Sequence, residues 1–266
     1  MALIHVNYYS AVLGMQRAMD VILPQKQNGV GLASGAGDEK YPVLYLLHGG
    51  SDDHTIWQRR TSIERYATQK GIAVVMPNND LGFYTDMKYG FDFFRHTADE
   101  LPQIVHEFFP AISTKPEDTF AAGLSMGGFG AFKLGILRPD KFAAVASLSG
   151  GVDLLSCVFS KDKPDEDAPG FFGYIYGSYN DLKDSINDLP VQMEELLKSG
   201  KPMPKFYMVC GTEDFLYESN IAFRDRFIDR MDLTYYEEPG IHEWGFWDRN
   251  IQRVLDWLPL KAKEGK

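Results

Sequence analysis

The chain has 266 residues, 44% hydrophobic and 24% charged, with a formal net charge of −10 and a pI near 5.1. This is an ordinary globular composition, long enough for one large α/β domain or two small ones. The negative charge repels phosphate backbones, which argues against a nucleic-acid partner and, more weakly, against polyanionic substrates and an anionic membrane surface.

In chain order, "LIHVNYYS" and "MQRAMDVILP" read as two strands joined by a short turn at Leu13–Gly14. Such a tight connection predicts an antiparallel pair. Residues 25–40, "QKQNGVGLASGAGDEK", are Gly-rich and polar, and are expected to form an exposed, mobile loop rather than a domain linker. "YPVLYLLHG" then reads as a buried strand, "TIWQRRTSIERYATQKG" as a helix and "IAVVMPN" as a strand. "DFFRHTADELPQIVHEFFP" is helical, with Pro102 marking a kink or a break between two shorter helices. "TFAAG" is a strand, "SMGGFGAFKLGILRP" a helix, and "FAAVASLSG" a strand.

Between Gly151 and Pro204 the alternation fails, and only "INDLPVQMEELLKSG" reads as helical there. It resumes with strand "KFYMVCG", helix "LYESNIAFRDRFIDRM", strand "DLTYYEEPG" and the closing helix "HEWGFWDRNIQRVLDWLP". Strands alternating with helices predict the α/β class, with a mostly parallel sheet flanked by helices on both faces. Residues 151–204 are too short for a core of their own, so they are expected to be an insertion, or cap-like segment, after the sixth strand of a single domain spanning 1–266.

Chemistry enters at "FAAGLSMGGFGAF", where Ser125 stands between Gly123 and Gly127. The serine falls where a predicted strand meets a predicted helix with almost no loop between them. The corner residue of such a turn is forced into a strained backbone, and glycines two positions away remove the side chains that would collide with it. The G-x-S-x-G pattern in this setting is a nucleophile elbow of the kind found in α/β-hydrolases. A serine acting as a plain helix N-cap beside packing glycines is the bland alternative.

A nucleophilic serine needs a base. In hydrolases built on the elbow the chain order is serine, acid, histidine. Of the six histidines only His242 follows Ser125, between the last predicted strand and the last helix. The third member should be a carboxylate after another strand. Asp214 in "CGTEDF" is the choice, with Glu213 and Glu218 as competitors, and its role would be to hold the histidine tautomer. In "YLLHGGSDDHTIW" the Gly50 amide is expected to be one oxyanion donor and that of Met126 the other, while His48 hydrogen-bonds backbone to shape the loop. Trp57, Phe83, Tyr84, Phe171, Phe172 and Trp244 are candidate substrate-binding aromatics, most of them also good core residues.

Cys157 and Cys210 lie in no CxxC or Cys/His spacing, which argues against a disulfide framework or structural zinc and for a cytoplasmic setting. The first residues lack a signal-peptide pattern, and no apolar run reaches the roughly 18 residues that span a bilayer. HExxH, G-x-G-x-x-G and Walker A motifs are absent, so no metal and no nucleotide cofactor is expected.

The segments "LLHG", "GLSMGGFGAFKL", "CGTEDFLYE" and "HEW" resemble the tributyrin esterase branch of the esterase D-like α/β-hydrolases, a group that includes S-formylglutathione hydrolases and feruloyl esterases. The likeness runs from about Tyr8 to Leu258, and "GFYTDMKYGFDFF" is similar to small bacterial tributyrin and acetyl esterases. Two departures stand out. "GLSMGG" replaces the "GHSMGG" usual in formylglutathione hydrolases, and Gly50 stands where relatives often carry a larger residue.

The resemblance implies the α/β-hydrolase fold and serine carboxylesterase action on small-molecule esters of acetyl to butyryl length, with Ser125, Asp214 and His242 as the triad. S-formylglutathione thioesterase and feruloyl or acetylxylan esterase are the alternatives. A non-catalytic binding module on this fold usually lacks a triad member, and here all three are present. No membrane partner is expected, and a homo-oligomer, dimer or tetramer, stays open.

Overall fold

A computed structural model describes residues 1–37, 39–159, 164–166 and 168–261. Parts of the expected 151–204 insertion and the last residues of the expected 1–266 domain lie outside the described residues. The strands are β1 (Ala2–Ser10), β2 (Met15–Leu23), β3 (Val43–Leu47), β4 (Ala73–Pro77), β5 (Thr119–Leu124), β6 (Ala144–Leu148), β7 (Lys205–Gly211) and β8 (Leu233–Glu238). They form one eight-stranded sheet in the order β1-β2-β4-β3-β5-β6-β7-β8. β2 is antiparallel to both β1 and β4, and every pairing from β4 to β8 is parallel. The β1–β2 hairpin turns at Gly14, whose φ of 67° suits a residue without a side chain.

The unbroken apolar runs of the central strands follow from burial on both faces. Alternate residues feed opposite cores. Val43, Tyr45 and Leu47 join one cluster with Ala73, Val75 and Ala121. Leu44 and Leu46 join the other with Val74, Met76, Phe120 and Ala122. The first core is closed by α4 (Leu101–Phe108), α5 (Met126–Leu137), α9 (Leu189–Ser199) and α10 (Tyr217–Phe227). The second is closed by α1 (Ile56–Arg60), α2 (Ile63–Lys70) and α11 (Trp244–Trp257). Apart from Leu137, every residue of α5 is buried, as expected for a helix that must pack on all sides.

Three local expectations need correction. The helix expected over residues 55–71 is two helices. Thr61 is extended, its hydroxyl donates to the Trp57 carbonyl (2.6 Å) and accepts from the Ile63 amide (3.1 Å), and so it stops α1 and starts α2. The two shorter helices expected around Pro102 form one continuous helical run, with Pro102 in the first turn of its last part. It runs from α3 (Phe93–Arg95) through a π-helical turn at His96–Glu100 into α4. Pro102 has no amide to offer the Ala98 carbonyl, which instead accepts from Lys141 Nζ at 3.1 Å. Among the described residues the insertion after β6 holds four helices, not one: α6 (Leu154–Cys157), α7 (Phe171–Tyr176), α8 (Tyr179–Leu182) and α9. The first three are too short to display a helical period, although Ser178 and Asp181 form a capping box for α8. Residues 25–37 are largely exposed, as expected, with the Gly35 amide fastened to the Thr68 carbonyl (2.8 Å).

Candidate active site

Ser125 sits at the step from β5 into α5 with φ 51° and ψ −115°, a strained conformation for a residue with a side chain. The two flanking glycines are required by close backbone contact. A Cβ on Gly123 would lie 2.4 Å from the Gly127 carbonyl group, and one on Gly127 would lie 2.4 Å from the Leu47 oxygen. The Ser125 amide is fixed to the Leu148 carbonyl on β6 (2.9 Å). Met126 is the first residue of α5, so its N–H is one of those a helix start leaves without an intrahelical partner.

Asp214 and His242 follow β7 and β8, at the same carboxyl rim of the sheet. His242 Nδ1 donates to Asp214 Oδ2 at 2.8 Å, and the Asp214 side chain is fully shielded from solvent. The other carboxylate oxygen accepts from the Leu216 amide (2.9 Å). Donation from Nδ1 leaves Nε2 as the basic nitrogen of the ring. The competing acids make no such contact with His242 among the described residues. Glu213 accepts from the Gly240 amide (2.5 Å), and Glu218 is exposed in the first turn of α10. The imidazole lies between two rings that the sequence did not single out, Phe215 (centroids 4.6 Å apart) and Trp247 (4.8 Å, edge-on). Trp247 Nε1 in turn donates to Ser149 Oγ at 3.3 Å.

The loop after β3 is organised by His48, as expected. Its Nδ1 donates to the Gly49 carbonyl (2.8 Å) and its Nε2 accepts from the Asn79 amide (2.9 Å), which requires a neutral ring. Burial enforces that state by pushing the His48 pKa down to about 4. Gly49 is packed against Leu124 and Asp52, whereas a Cβ on Gly50 would meet nothing within 4 Å. Gly50 is exposed on the rim, while the amide-bearing Met126 is buried.

The candidate substrate-binding aromatics divide by burial. Trp57 is buried and gives its indole N–H to the Leu47 carbonyl (3.0 Å). Its ring meets the half-buried Trp244 edge-on, with centroids 5.2 Å apart. Tyr84 is fully buried, and its hydroxyl donates to the His48 carbonyl at 3.1 Å, so it bears on the site through the loop backbone. Phe83 is nearly buried within a ring cluster that includes Phe129, Phe171, Phe172 and Tyr176. Of these Phe171 is exposed and Phe172 half-buried. The backbone at Phe83 and Tyr84 has φ 48° and 49°, two consecutive left-handed residues. Among the described residues no group of three or more His, Cys, Asp and Glu side chains is arranged to hold a metal ion, and no helix is long and apolar enough to cross a membrane.

Residues 10–258 match the Esterase family model, described as "Putative esterase". Over 266 aligned residues the chain is 29% identical to the acetyl esterase of Caldicellulosiruptor saccharolyticus, covering 97% of this chain and 98% of that one. Among solved structures it is similar to the fluorophosphonate-binding serine hydrolase F of Staphylococcus aureus, with TM-score 0.84, 33% identity and coverage of 98% and 99%. It is also similar to an S-formylglutathione hydrolase of Staphylococcus aureus, with TM-score 0.80, 34% identity and coverage of 97% and 98%. The chain belongs to the Esterase family, as a carboxylic ester hydrolase of the α/β-hydrolase fold.

Proposed function

We propose that this enzyme hydrolyses small-molecule esters of short acyl chains, acetyl to butyryl, through an acyl-enzyme on Ser125. The observation that carries this reading is the Asp214–His242 hydrogen bond on the same rim as a serine strained into an elbow. Ser125 Oγ attacks the ester carbonyl as its proton passes to His242 Nε2. The amides of Gly50 and Met126 donate to the oxyanion of the tetrahedral intermediate. The imidazolium, stabilised by Asp214, gives its proton to the departing alcohol. Water then repeats the sequence at the acyl carbon and releases the acid.

The likeness to an acetyl esterase and to a fluorophosphonate-binding serine hydrolase supports both the small acyl group and the serine. Phe83 and Trp244 close the acyl side, and the buried Tyr84 supports it through the loop backbone. The 151–204 segment is read as a cap-like part of one domain, and the free Cys157 and Cys210 as suited to a cytoplasmic protein. Assembly as a dimer or tetramer fits the reading equally well.

Chain length is the test. Each methylene that finds a pocket gains up to about 0.8 kcal/mol. A short pocket therefore gives kcat/KM for p-nitrophenyl esters that rises to roughly four carbons and then falls. A continuous rise through octanoate contradicts the short pocket. A second reading, a thioesterase acting on S-formylglutathione, is favoured by the 34% identical hydrolase from Staphylococcus aureus. A kcat/KM for S-formylglutathione far above that for p-nitrophenyl acetate would select it.

A further inference from the structure

Lys133 is the one charged residue of α5, and it is completely buried. Its Nζ donates to Thr85 Oγ1 (2.9 Å), in the loop after β4, and to Asn187 Oδ1 (2.5 Å), in the insertion. It also stands 4.7 Å from the ring centroid of Phe94 on α3 and 5.6 Å from that of Phe129 on α5. Among the described residues the carboxylate that pulls on it is Asp86, which accepts from the Arg95 amide (3.0 Å). Arg138 lies against Phe94 as well but is paired with Asp99. Near Asn187, the Asp188 carboxylate is held by the amides of Asp184 and Val191. On Thr85's other side is the buried, neutral phenol of Tyr176.

Desolvation of this cation outweighs its neighbours and pushes its pKa down to about 7. A methionine of similar length would avoid that cost. Nor would it strand a partner, because Thr85 Oγ1 donates on to the Phe83 carbonyl (3.0 Å) and Asn187 is only half-buried. Burial of this lysine thus carries a desolvation cost, and its contacts lead toward the active site.

Thr85 directly follows the left-handed pair Phe83 and Tyr84. The Tyr84 amide donates to Asn79 Oδ1 (2.9 Å), whose own amide donates to His48 Nε2. The Tyr84 hydroxyl donates to the carbonyl of His48, the residue before Gly49 and Gly50. Gly130 lets this ring lie flat on α5, since a Cβ there would be 2.5 Å from it.

We propose that Lys133 is a positioning residue for the oxyanion loop: by tying Thr85 and Asn187 to α5 it fixes the Phe83–Tyr84 turn and, through the Tyr84 hydroxyl, the backbone that presents the Gly50 amide. This role rests on reading Ser125 as the nucleophile and Gly50 as an oxyanion donor. A displaced oxyanion donor weakens transition-state binding and leaves ground-state binding nearly untouched.

The experiment is Lys133→Met in the full chain, with kcat and KM for p-nitrophenyl acetate and a thermal melt measured beside wild type and Ser125→Ala. The expected result is kcat lower by about tenfold or more, KM within about twofold, and a Tm equal to or above wild type. Wild-type kcat in the folded variant overturns the proposal, and so does a loss of activity that comes with a lower Tm or with a KM raised in proportion. If Lys133→Met does not fold, Thr85→Val decides: the same selective kcat loss supports the role, and wild-type kcat overturns it. Turnover retained by Ser125→Ala would bring down the ester-site reading itself. An inactive Ser125→Ala beside an unaffected Lys133→Met would remove only the role of Lys133.

Discussion

At Asp214 the two carboxylate oxygens have separate tasks: one accepts from His242 and the other from the Leu216 amide that anchors the turn. Asp214→Asn keeps the second bond but can present an amide N–H to Nδ1, favouring the wrong tautomer, so kcat should fall by about 10³–10⁴. Glu213→Gln still offers an oxygen to the Gly240 amide and should leave turnover near wild type. Equal damage from both variants, in steady-state kinetics, would remove the distinction. His48 gives a pH signature. Its folded pKa, about 4, lies below the ordinary 6.5, so between those values the unfolded chain binds more protons. Stability should therefore rise with pH from about 4 to 6.5, by an amount on the order of 3 kcal/mol, and be lost on acidification through the same window. Denaturant melts of wild type and His48→Gln across that range check it, the variant losing this part of the slope. Lys133 acts at higher pH with the same sign. Its folded value of about 7 against an ordinary 10.5 makes stability rise with pH above 7, a slope that Lys133→Met should lack. The place of Ser125 at the step from β5 to α5 and of His242 after β8 was legible because an elbow pattern and chain order isolate them. Phe215 and Trp247 were not, because they reach the imidazole from a turn and a helix whose approach no local spacing encodes.

Elements divide the glycines into those that close contacts and those that do not. Gly123→Ala would drive a methyl into the Gly127 backbone, 2.4 Å away, and neither chain segment can yield without opening the elbow. A stability loss of about 1–3 kcal/mol with near-complete loss of turnover is expected. Gly50→Ala points its methyl into open space and keeps the amide, so stability should stay within about 0.5 kcal/mol and activity near wild type. A large activity loss in Gly50→Ala would show that this loop has to flex. The strands β3, β4 and β6 were readable because they are almost unbroken apolar runs, and α11 because its apolar pattern is sustained over 14 residues. The π-turn at His96–Glu100 was not, since Pro102 announces a disturbance without saying that Lys141 will satisfy the orphaned Ala98 carbonyl. The short insertion helices escaped notice because four to six residues carry no period.

For the whole molecule, the alternation of strand and helix sufficed to place the parallel sheet, its antiparallel start and the insertion, because each rests on chain connectivity. What connects the layers was hidden. One lysine joins α5, the loop after β4 and the insertion, and in sequence it is merely a charge inside an apolar helix. The net charge of −10 argued against polyanionic partners but said nothing of the site on the sheet rim. One strained serine on the rim of this sheet, Ser125, is proposed to carry the acyl group. The most direct measurement is peptide mapping by mass spectrometry after treating the native enzyme with a fluorophosphonate, with residual esterase activity followed in parallel. A single adduct on Ser125 is expected, with loss of activity in step with labelling, and neither labelling nor turnover in a folded Ser125→Ala variant. An adduct on another residue that abolishes activity, or turnover retained by Ser125→Ala, would contradict it.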